Sequence, residues 1–299
     1  MSLKNNNVLV TGANGFIGKH LVNRLLKEGA NISVITRRAD FDDVKNYKGD
    51  ITDEYFVKKV IEETNPKRVY HLAASLENSP EKKKEIFNVN VDGTLNLLNS
   101  LKGKNCESFI FLSTTEIYGN NKVPFVESMK PKPISPYSES KLKAEMLCFQ
   151  FYKRYNLPIT IIRSSIVYGP KQLGKMFIPS LISSLVKGET FDMTKGEQTR
   201  DFIYVDDLVE AIILASLNNI TTNEVINVCS GLESKISDVA KIVIKIINNG
   251  AITYNQPYRQ NEQWRYYGDN SKAKSLLGWE PKIKLEEGLR RTVEWHKNA

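Results

Sequence analysis

Short β-branched runs alternate with helix-length amphipathic stretches through the first two thirds of this 299-residue chain. The apolar runs are Val8-Leu9-Val10, Ile32-Ser33-Val34-Ile35, Arg68-Val69-Tyr70-His71-Leu72, Phe109-Ile110-Phe111-Leu112 and Ile159-Thr160-Ile161-Ile162. Between them the spacing predicts helices over 16–28, 53–64, 81–102 and 136–154. Strands this apolar are covered on both sides, and strand-helix-strand repetition places parallel strands beneath helices on both faces. After Arg163 the rhythm loosens into helix 176–187, strand 201–204, helix 206–217, strand 224–228 and helix 236–248, then a loop over 255–270 and closing helices. No repeat or low-complexity linker separates these parts, so a smaller C-terminal lobe is expected to interleave with the sheet and leave a cleft beside it.

The first strand ends in Thr11-Gly12-Ala13-Asn14-Gly15-Phe16-Ile17-Gly18 and runs directly into a helix. Glycines at this place let the chain turn tightly and bring backbone N–H groups to a pyrophosphate at the helix N-terminus. Residues 1–168 then form a dinucleotide-binding domain to which 201–228 return, and 169–299 mainly form the second lobe. An NAD site offers an acid after the second strand, whereas an NADP site offers arginine. Here the strand ends in Thr36-Arg37-Arg38, which favours NADP(H), with Arg37 and Arg38 on the 2′-phosphate. Asp40 and Asp42 keep NAD open, with the arginines as solvated loop charges. Asp50-Ile51, after the next short strand, suits the adenine amino group or a plain turn.

Ser135-Pro136-Tyr137-Ser138-Glu139-Ser140-Lys141 carries the candidate chemistry. Ser135 reads as an N-cap and Pro136 as the first helical residue, so Tyr137 and Lys141 share a helix face. A nearby ammonium favours the phenolate, and such a tyrosine can exchange a proton with an alcohol or ketone oxygen while hydride moves to or from nicotinamide. The preceding run Leu112-Ser113-Thr114-Thr115-Glu116-Ile117-Tyr118-Gly119 supplies a hydroxyl at a strand's C-terminal end, beside the expected crevice.

Composition narrows the partners. A balance of 42 basic to 34 acidic residues favours anionic ligands, but Lys82-Lys83-Lys84 is flanked by Glu81 and Glu85 and reads as a solvated face, so nucleic acid is not expected. No apolar stretch approaches the roughly 18 residues of a membrane span, and no export signal is expected. Cys106, Cys148 and Cys229 are scattered and histidines are few, which fits a reducing cytoplasm, no disulfide framework and no metal site.

Taken with His71-Leu72-Ala73-Ala74, Asn88-Val89-Asn90-Val91-Asp92-Gly93-Thr94, Tyr168-Gly169-Pro170, Arg200-Asp201-Phe202-Ile203-Tyr204-Val205-Asp206-Asp207 and Asp269-Asn270-Ser271-Lys272-Ala273, these motifs make the chain resemble the extended short-chain dehydrogenase/reductases, specifically the NAD(P)-dependent nucleotide-sugar epimerase/dehydratase group. The resemblance implies an α/β fold: a Rossmann-type doubly wound parallel sheet with a smaller C-terminal α/β substrate lobe. It implies Thr114 as hydroxyl partner of Tyr137, Asn90 steadying Lys141 through water, and Leu72, Ala73 and Ala74 along the cofactor. By the same resemblance Arg200 and Arg259 clamp a nucleotide diphosphate, Glu262 meets a ribose, and two chains pair through the helices 81–102 and 136–154.

The reaction is less constrained. Dehydration needs an acid and a base, and where the dTDP-glucose 4,6-dehydratases read Thr-Asp-Glu this chain reads Thr114-Thr115-Glu116. Glu116 is the candidate base or a rim carboxylate, and the usual acid is missing. The two arginines favour a reductase that consumes NADPH on a nucleotide 4-keto-6-deoxyhexose. A 4-epimerase follows, then a 4,6-dehydratase, with a catalytically silent NADP-binding scaffold as the reading from another class.

Overall fold

Seven parallel strands form the central sheet of the computed structural model, which describes residues 2–37, 41–260 and 262–298. They are β1 (Asn7–Thr11), β2 (Asn31–Thr36), β3 (Lys45–Lys48), β4 (Arg68–His71), β5 (Ser108–Thr114), β6 (Ile159–Ser164) and, after four short strands outside the sheet, β11 (Val225–Val228). Their spatial order is β11-β6-β5-β4-β1-β2-β3, so the chain winds outward from β1 in one direction and then returns to wind in the other. The switch falls between β1 and β4, the point at which sheets of this topology take ligands beyond the strands' C-terminal ends.

Period-two alternation assigns the strand side chains to two cores. Val8, Val10, Val34, Tyr70, Ile110 and Ile162 pack under α1 (Phe16–Lys27) and α7 (Val205–Leu217). Leu9, Ile35, Val69, Phe109, Phe111 and Ile161 face α2 (Glu54–Thr64), α4 (Gly93–Ser100) and α5 (Pro136–Tyr155). Strand β3 carries Lys45-Asn46-Tyr47-Lys48 without such alternation, as suits an edge.

The helical run expected over 81–102 is interrupted. After α3 (Lys83–Phe87) it widens into a π-turn at Asn88–Asp92 before α4. Gly93 then packs against Ile51, whose Cδ1 would lie 2.6 Å from any Cβ placed there. Widened turns of this kind concentrate at functional sites.

The C-terminal lobe has its own core, built from α6 (Phe177–Val186), α8 (Ile236–Ile247) and α10 (Leu285–Asn298) with Tyr168 and Tyr204. Three two-stranded ribbons belong outside the main sheet: β7 (Ile166–Tyr168) with β10 (Phe202–Tyr204), β9 (Thr199–Arg200) with β12 (Ser234–Lys235), and β8 (Thr190–Asp192) with β13 (Ala251–Thr253). Helix α9 (Ser271–Leu277) crosses back onto β11. Cys106, Cys148 and Cys229 are buried and unpaired, and no described helix is long and apolar enough to cross a membrane.

Candidate active site

The candidate site starts from the glycine loop at the end of β1. Gly12 adopts φ +73°, and a Cβ there would meet the Ala73 nitrogen at 2.6 Å and the Leu72 carbonyl carbon at 2.7 Å. A Cβ at Gly18 would overlap the Gly12 carbonyl oxygen and lie 2.7 Å from the Ala13 Cα. The two glycines therefore let β1, the Leu72-Ala73-Ala74 segment and α1 approach one another. Gly15 precedes α1 without a side-chain cap, and the first turn, which includes Phe16 and Ile17, holds no acidic residue. Its leading N–H groups and dipole are available to an anion. Asn14 donates to Thr36 Oγ1, and its own Oδ1 is buried with no hydrogen-bond partner among the described residues.

At the end of β2, Arg37 is 68% exposed and lies 3.8 Å from Asp50 Oδ2, too loose and wet a pair to fix it. Arg38 lies outside the described residues. Asp50 Oδ1 accepts from the Thr52 amide and hydroxyl, both at 3.0 Å, which makes it a turn residue with its other oxygen uncommitted to that turn. Ile51 is buried against Gly93.

Helix α5 carries Tyr137 and Lys141, the residues expected to react. Ser135 and Ser138 form a reciprocal capping box, and Pro136 occupies the first turn, so the start of the helix is fixed. Tyr137 is partly buried in its first turn and Lys141, one turn on, is 2% exposed. The Lys141 Nζ lies 4.0 Å from the centre of the Phe111 ring. Burial lowers its pKa to about 8, with the Glu145 charge working in the opposite direction. The phenol of Tyr137 is pushed up, first by burial and then by the Glu116 charge. This corrects the expectation that Lys141 would draw it down: in the protein's own surroundings, desolvation and a neighbouring carboxylate decide.

At the end of β5, Thr114 Oγ1 accepts from the Glu116 amide at 3.1 Å, which leaves the threonine proton for another acceptor. Glu116 Oε1 accepts from Ser135 Oγ at 2.5 Å, so the carboxylate is tied to the start of α5. Thr115 points the other way. It is fully buried, donates to the Ser164 carbonyl at 3.2 Å and accepts from Tyr266 OH at 2.5 Å. Asn90, in the π-turn, bonds the Ser75 backbone and Ser140 Oγ, reaching α5 through the residue before Lys141.

The sequence profile of the GDP-mannose 4,6 dehydratase family matches residues 9–292. The chain belongs to the nucleotide-sugar epimerase/dehydratase family of extended short-chain dehydrogenases. It is 32% identical to a dTDP-D-glucose 4,6-dehydratase of Bos taurus over 319 residues, covering 97% of this chain and 88% of that protein. A Thermotoga maritima UDP-glucose 4-epimerase solved with UDP-glucose superposes with a TM-score of 0.93 at 33% identity, over 98% of this chain and 99% of that one. A Bacillus cereus UDP-glucuronic acid 4-epimerase, solved with UDP-glucuronic acid and NAD, gives 0.88 at 29% identity, over 97% and 99%.

The second lobe carries Arg200, Arg259 and Glu262, the residues expected at a nucleotide diphosphate. The Arg200 guanidinium donates to the Thr199 and Gln263 carbonyls, each at 2.7 Å, and to Glu262 Oε1 at 2.6 Å. Arg200 and Glu262 thus hold one another, and Glu262 faces this arginine where a ribose contact was expected. Arg259 is exposed, and its carbonyl closes a turn with the Glu262 amide at 3.1 Å. Tyr266 and Ser140 were not singled out by sequence reasoning, and Ser135 only as an N-cap. For Ser135 and Ser140 the available signal was their position on the helix that carries Tyr137.

Proposed function

We propose that the protein is a nucleoside-diphosphate-hexose 4-epimerase that uses NAD(P). The observation that carries this reading is the orientation of Thr115: at the place where an eliminating enzyme needs an acid, the hydroxyl is buried and committed to Ser164 and Tyr266. The close approach at Gly12 and Gly18, the uncapped start of α1 and the unpartnered Asn14 Oδ1 fit a dinucleotide. When bound, its nicotinamide supplies a reversible hydride acceptor and, in the oxidised form, a positive charge that favours phenolate. Tyr137 then takes the proton of the sugar 4-hydroxyl, and Thr114 donates its free proton to the same oxygen. With a nicotinamide bound, loss of the C4 hydride to it would leave a C4 ketone, and return of that hydride to the ketone's opposite face, with Tyr137 giving the proton back to the oxygen, would invert the centre.

Arg200 is already oriented by Glu262 and two carbonyls, a preorganised fork for diphosphate oxygens, and the positive net charge of +8 favours such a ligand. A homodimer through α3–α4 and α5 accords with Met146, 48% exposed on the outer side of α5. A reducing compartment suits three unpaired buried thiols.

A 4,6-dehydratase is the second reading, favoured by one feature: the Glu116 carboxylate, held by Ser135, acts electrostatically on Tyr137, which suits a C5 base. The reductase expectation drawn from Arg37 and Arg38 finds no support among the relatives named above. The test is to incubate the protein with UDP-glucose, UDP-glucuronate, dTDP-glucose and GDP-mannose plus NAD⁺ or NADP⁺, and to follow the sugar by proton NMR. A C4 epimer without loss of water is the expected product. A 6-methyl signal from a 4-keto-6-deoxy sugar would replace the reading with the dehydratase, and net NADPH oxidation on a 4-keto sugar would restore the reductase.

Cofactor choice is a separate proposal: Arg37, exposed at the end of β2, serves a 2′-phosphate. Arg37→Ala is expected to weaken NADPH binding by about tenfold, the scale of a lost charge-assisted hydrogen bond, and NADH binding little. Equal losses for both would assign the site to NAD.

A further inference from the structure

A chain of buried hydrogen bonds connects the glycine loop to α5, and each proton in it can be assigned. Thr94 Oγ1 donates to the Asn90 carbonyl at 2.7 Å, so toward His71 Nε2, at 2.9 Å, it accepts. His71 therefore carries its proton on Nε2, and its Nδ1 accepts from Thr11 Oγ1 at 2.7 Å. Thr11 Oγ1 accepts in turn from the Ala73 amide at 3.3 Å. At the other end, Asn90 Nδ2 donates to Ser140 Oγ at 2.8 Å, and Ser140 Oγ donates to the Tyr137 carbonyl at 2.7 Å. Thr11, His71, Thr94, Asn90 and Ser140 are all 0% or 1% exposed, so no bond in the chain is readily exchanged for one to water.

The ring sits between Phe109 and Phe111, at centroid distances of 5.9 and 5.6 Å. Burial, reinforced by the charge of Lys141, keeps it neutral with a pKa lowered to about 3. Its position is as telling as its protonation. Thr11 immediately precedes Gly12, Ala73 is the residue against which Gly12 packs, and Asn90 lies in the π-turn that reaches α5. A shift of the glycine loop must therefore carry His71 and Thr94 with it or break a buried hydrogen bond.

We infer that His71 is a positioning residue, fixed as the neutral Nε2–H tautomer, that couples the dinucleotide-binding loop to the placement of Tyr137 and Lys141. The inference rests on the cofactor and Tyr137 roles proposed above and is independent of which sugar is used. Among the described residues, the hydrogen bonds from Thr94 to Thr11 run through the His71 ring. Removing the Thr94 hydroxyl strands the Nε2–H and loosens Thr11 on the other side.

The test is dinucleotide binding by the full chain, titrated with NAD⁺ and with NADP⁺, together with thermal melting. Thr94→Val is expected to raise the dissociation constant of the preferred dinucleotide about tenfold, and Thr94→Ser, which keeps the hydroxyl, to restore it. Thr11→Val should produce a similar loss, and the double variant should be no weaker than the poorer single one, because both break one chain. Thr94→Val with unchanged affinity and only a lower melting temperature, or strictly additive losses in the double variant, would reduce His71 to a packing residue. A ¹⁵N spectrum in which the His71 ring changes tautomer or charge between about pH 5 and 8 would likewise overturn the assignment. A wild-type chain that binds neither dinucleotide would overturn this inference and the proposed function together, whereas intact binding without coupling would sink the inference alone.

Discussion

Tyr137→Phe is expected to lower kcat by about a hundredfold to ten-thousandfold, the usual scale of a lost general acid–base group, while dinucleotide affinity stays nearly unchanged. The backbone of this residue is held independently of its phenol, since the Tyr137 amide donates to Asn78 Oδ1 at 3.3 Å and its carbonyl accepts from Ser140 Oγ. Phenylalanine keeps the ring and its packing and removes only the titrating oxygen. Because burial and Glu116 push the phenol up, the side chain is protonated at neutral pH in the protein's own field. Turnover then depends on positive charge added to that field, which an oxidised nicotinamide would supply when bound. The measurement is single-turnover and steady-state kinetics on the sugar identified by NMR, with dinucleotide binding alongside. A variant that retains wild-type kcat would remove Tyr137 from the chemistry, and one that loses dinucleotide binding would recast it as a cofactor contact.

The sheet was legible because each central strand is covered on both faces, leaving runs such as Phe109-Ile110-Phe111-Leu112 with hardly a polar position. The glycine loop was legible because only glycine permits the approach of Gly12 to the Ala73 backbone. Direction of side chains was harder to read. Thr114 and Thr115 are neighbours in sequence with opposite fates, one capping the turn that follows β5 and one bonded into the core, and because Thr115 opens a 3₁₀ turn (Thr115–Tyr118) strand alternation does not carry that distinction. The mutual pairing of Arg200 with Glu262 joins residues 62 positions apart and carries no local signal. Nor does the raised pKa of Tyr137, since desolvation depends on what folds over a residue. The π-turn at Asn88–Asp92 arises from the contacts of Asn90, Thr94 and Gly93 with other elements, so helical periodicity predicts an unbroken helix there.

One signal was present and unused: a guanidinium in the apolar strand Ile159-Thr160-Ile161-Ile162-Arg163 requires a partner, and the partner is Glu145, one turn beyond Lys141 on α5. Arg163 donates through Nε at 3.1 Å and Nη2 at 2.6 Å to the two carboxylate oxygens, with side-chain exposures of 5% and 1%. Its Nη1 donates to Tyr118 OH at 2.9 Å, and Tyr118 OH donates to Asn227 Oδ1 at 2.8 Å. Burial works against the charge of Arg163, and the hydrogen bonds and charge of Glu145 outweigh it. Glu145→Gln turns one acceptor oxygen into an N–H₂ that faces the guanidinium, leaving a buried charge without its counter-charge. A loss of about 3–5 kcal/mol is expected, a large share of the roughly 5–15 kcal/mol that holds a typical domain together, readable by urea denaturation. Exchanging both partners for apolar residues, Glu145→Leu with Arg163→Met, should recover most of that stability. The two effects of Glu145 then separate. Its charge raises the pKa of Lys141 against burial, so its removal lets Lys141 lose its proton below about pH 8. The alkaline limb of kcat/KM should move to lower pH in the double variant even though it is stably folded. A double variant with wild-type stability and an unmoved limb would confine the pair to anchoring α5 on β6.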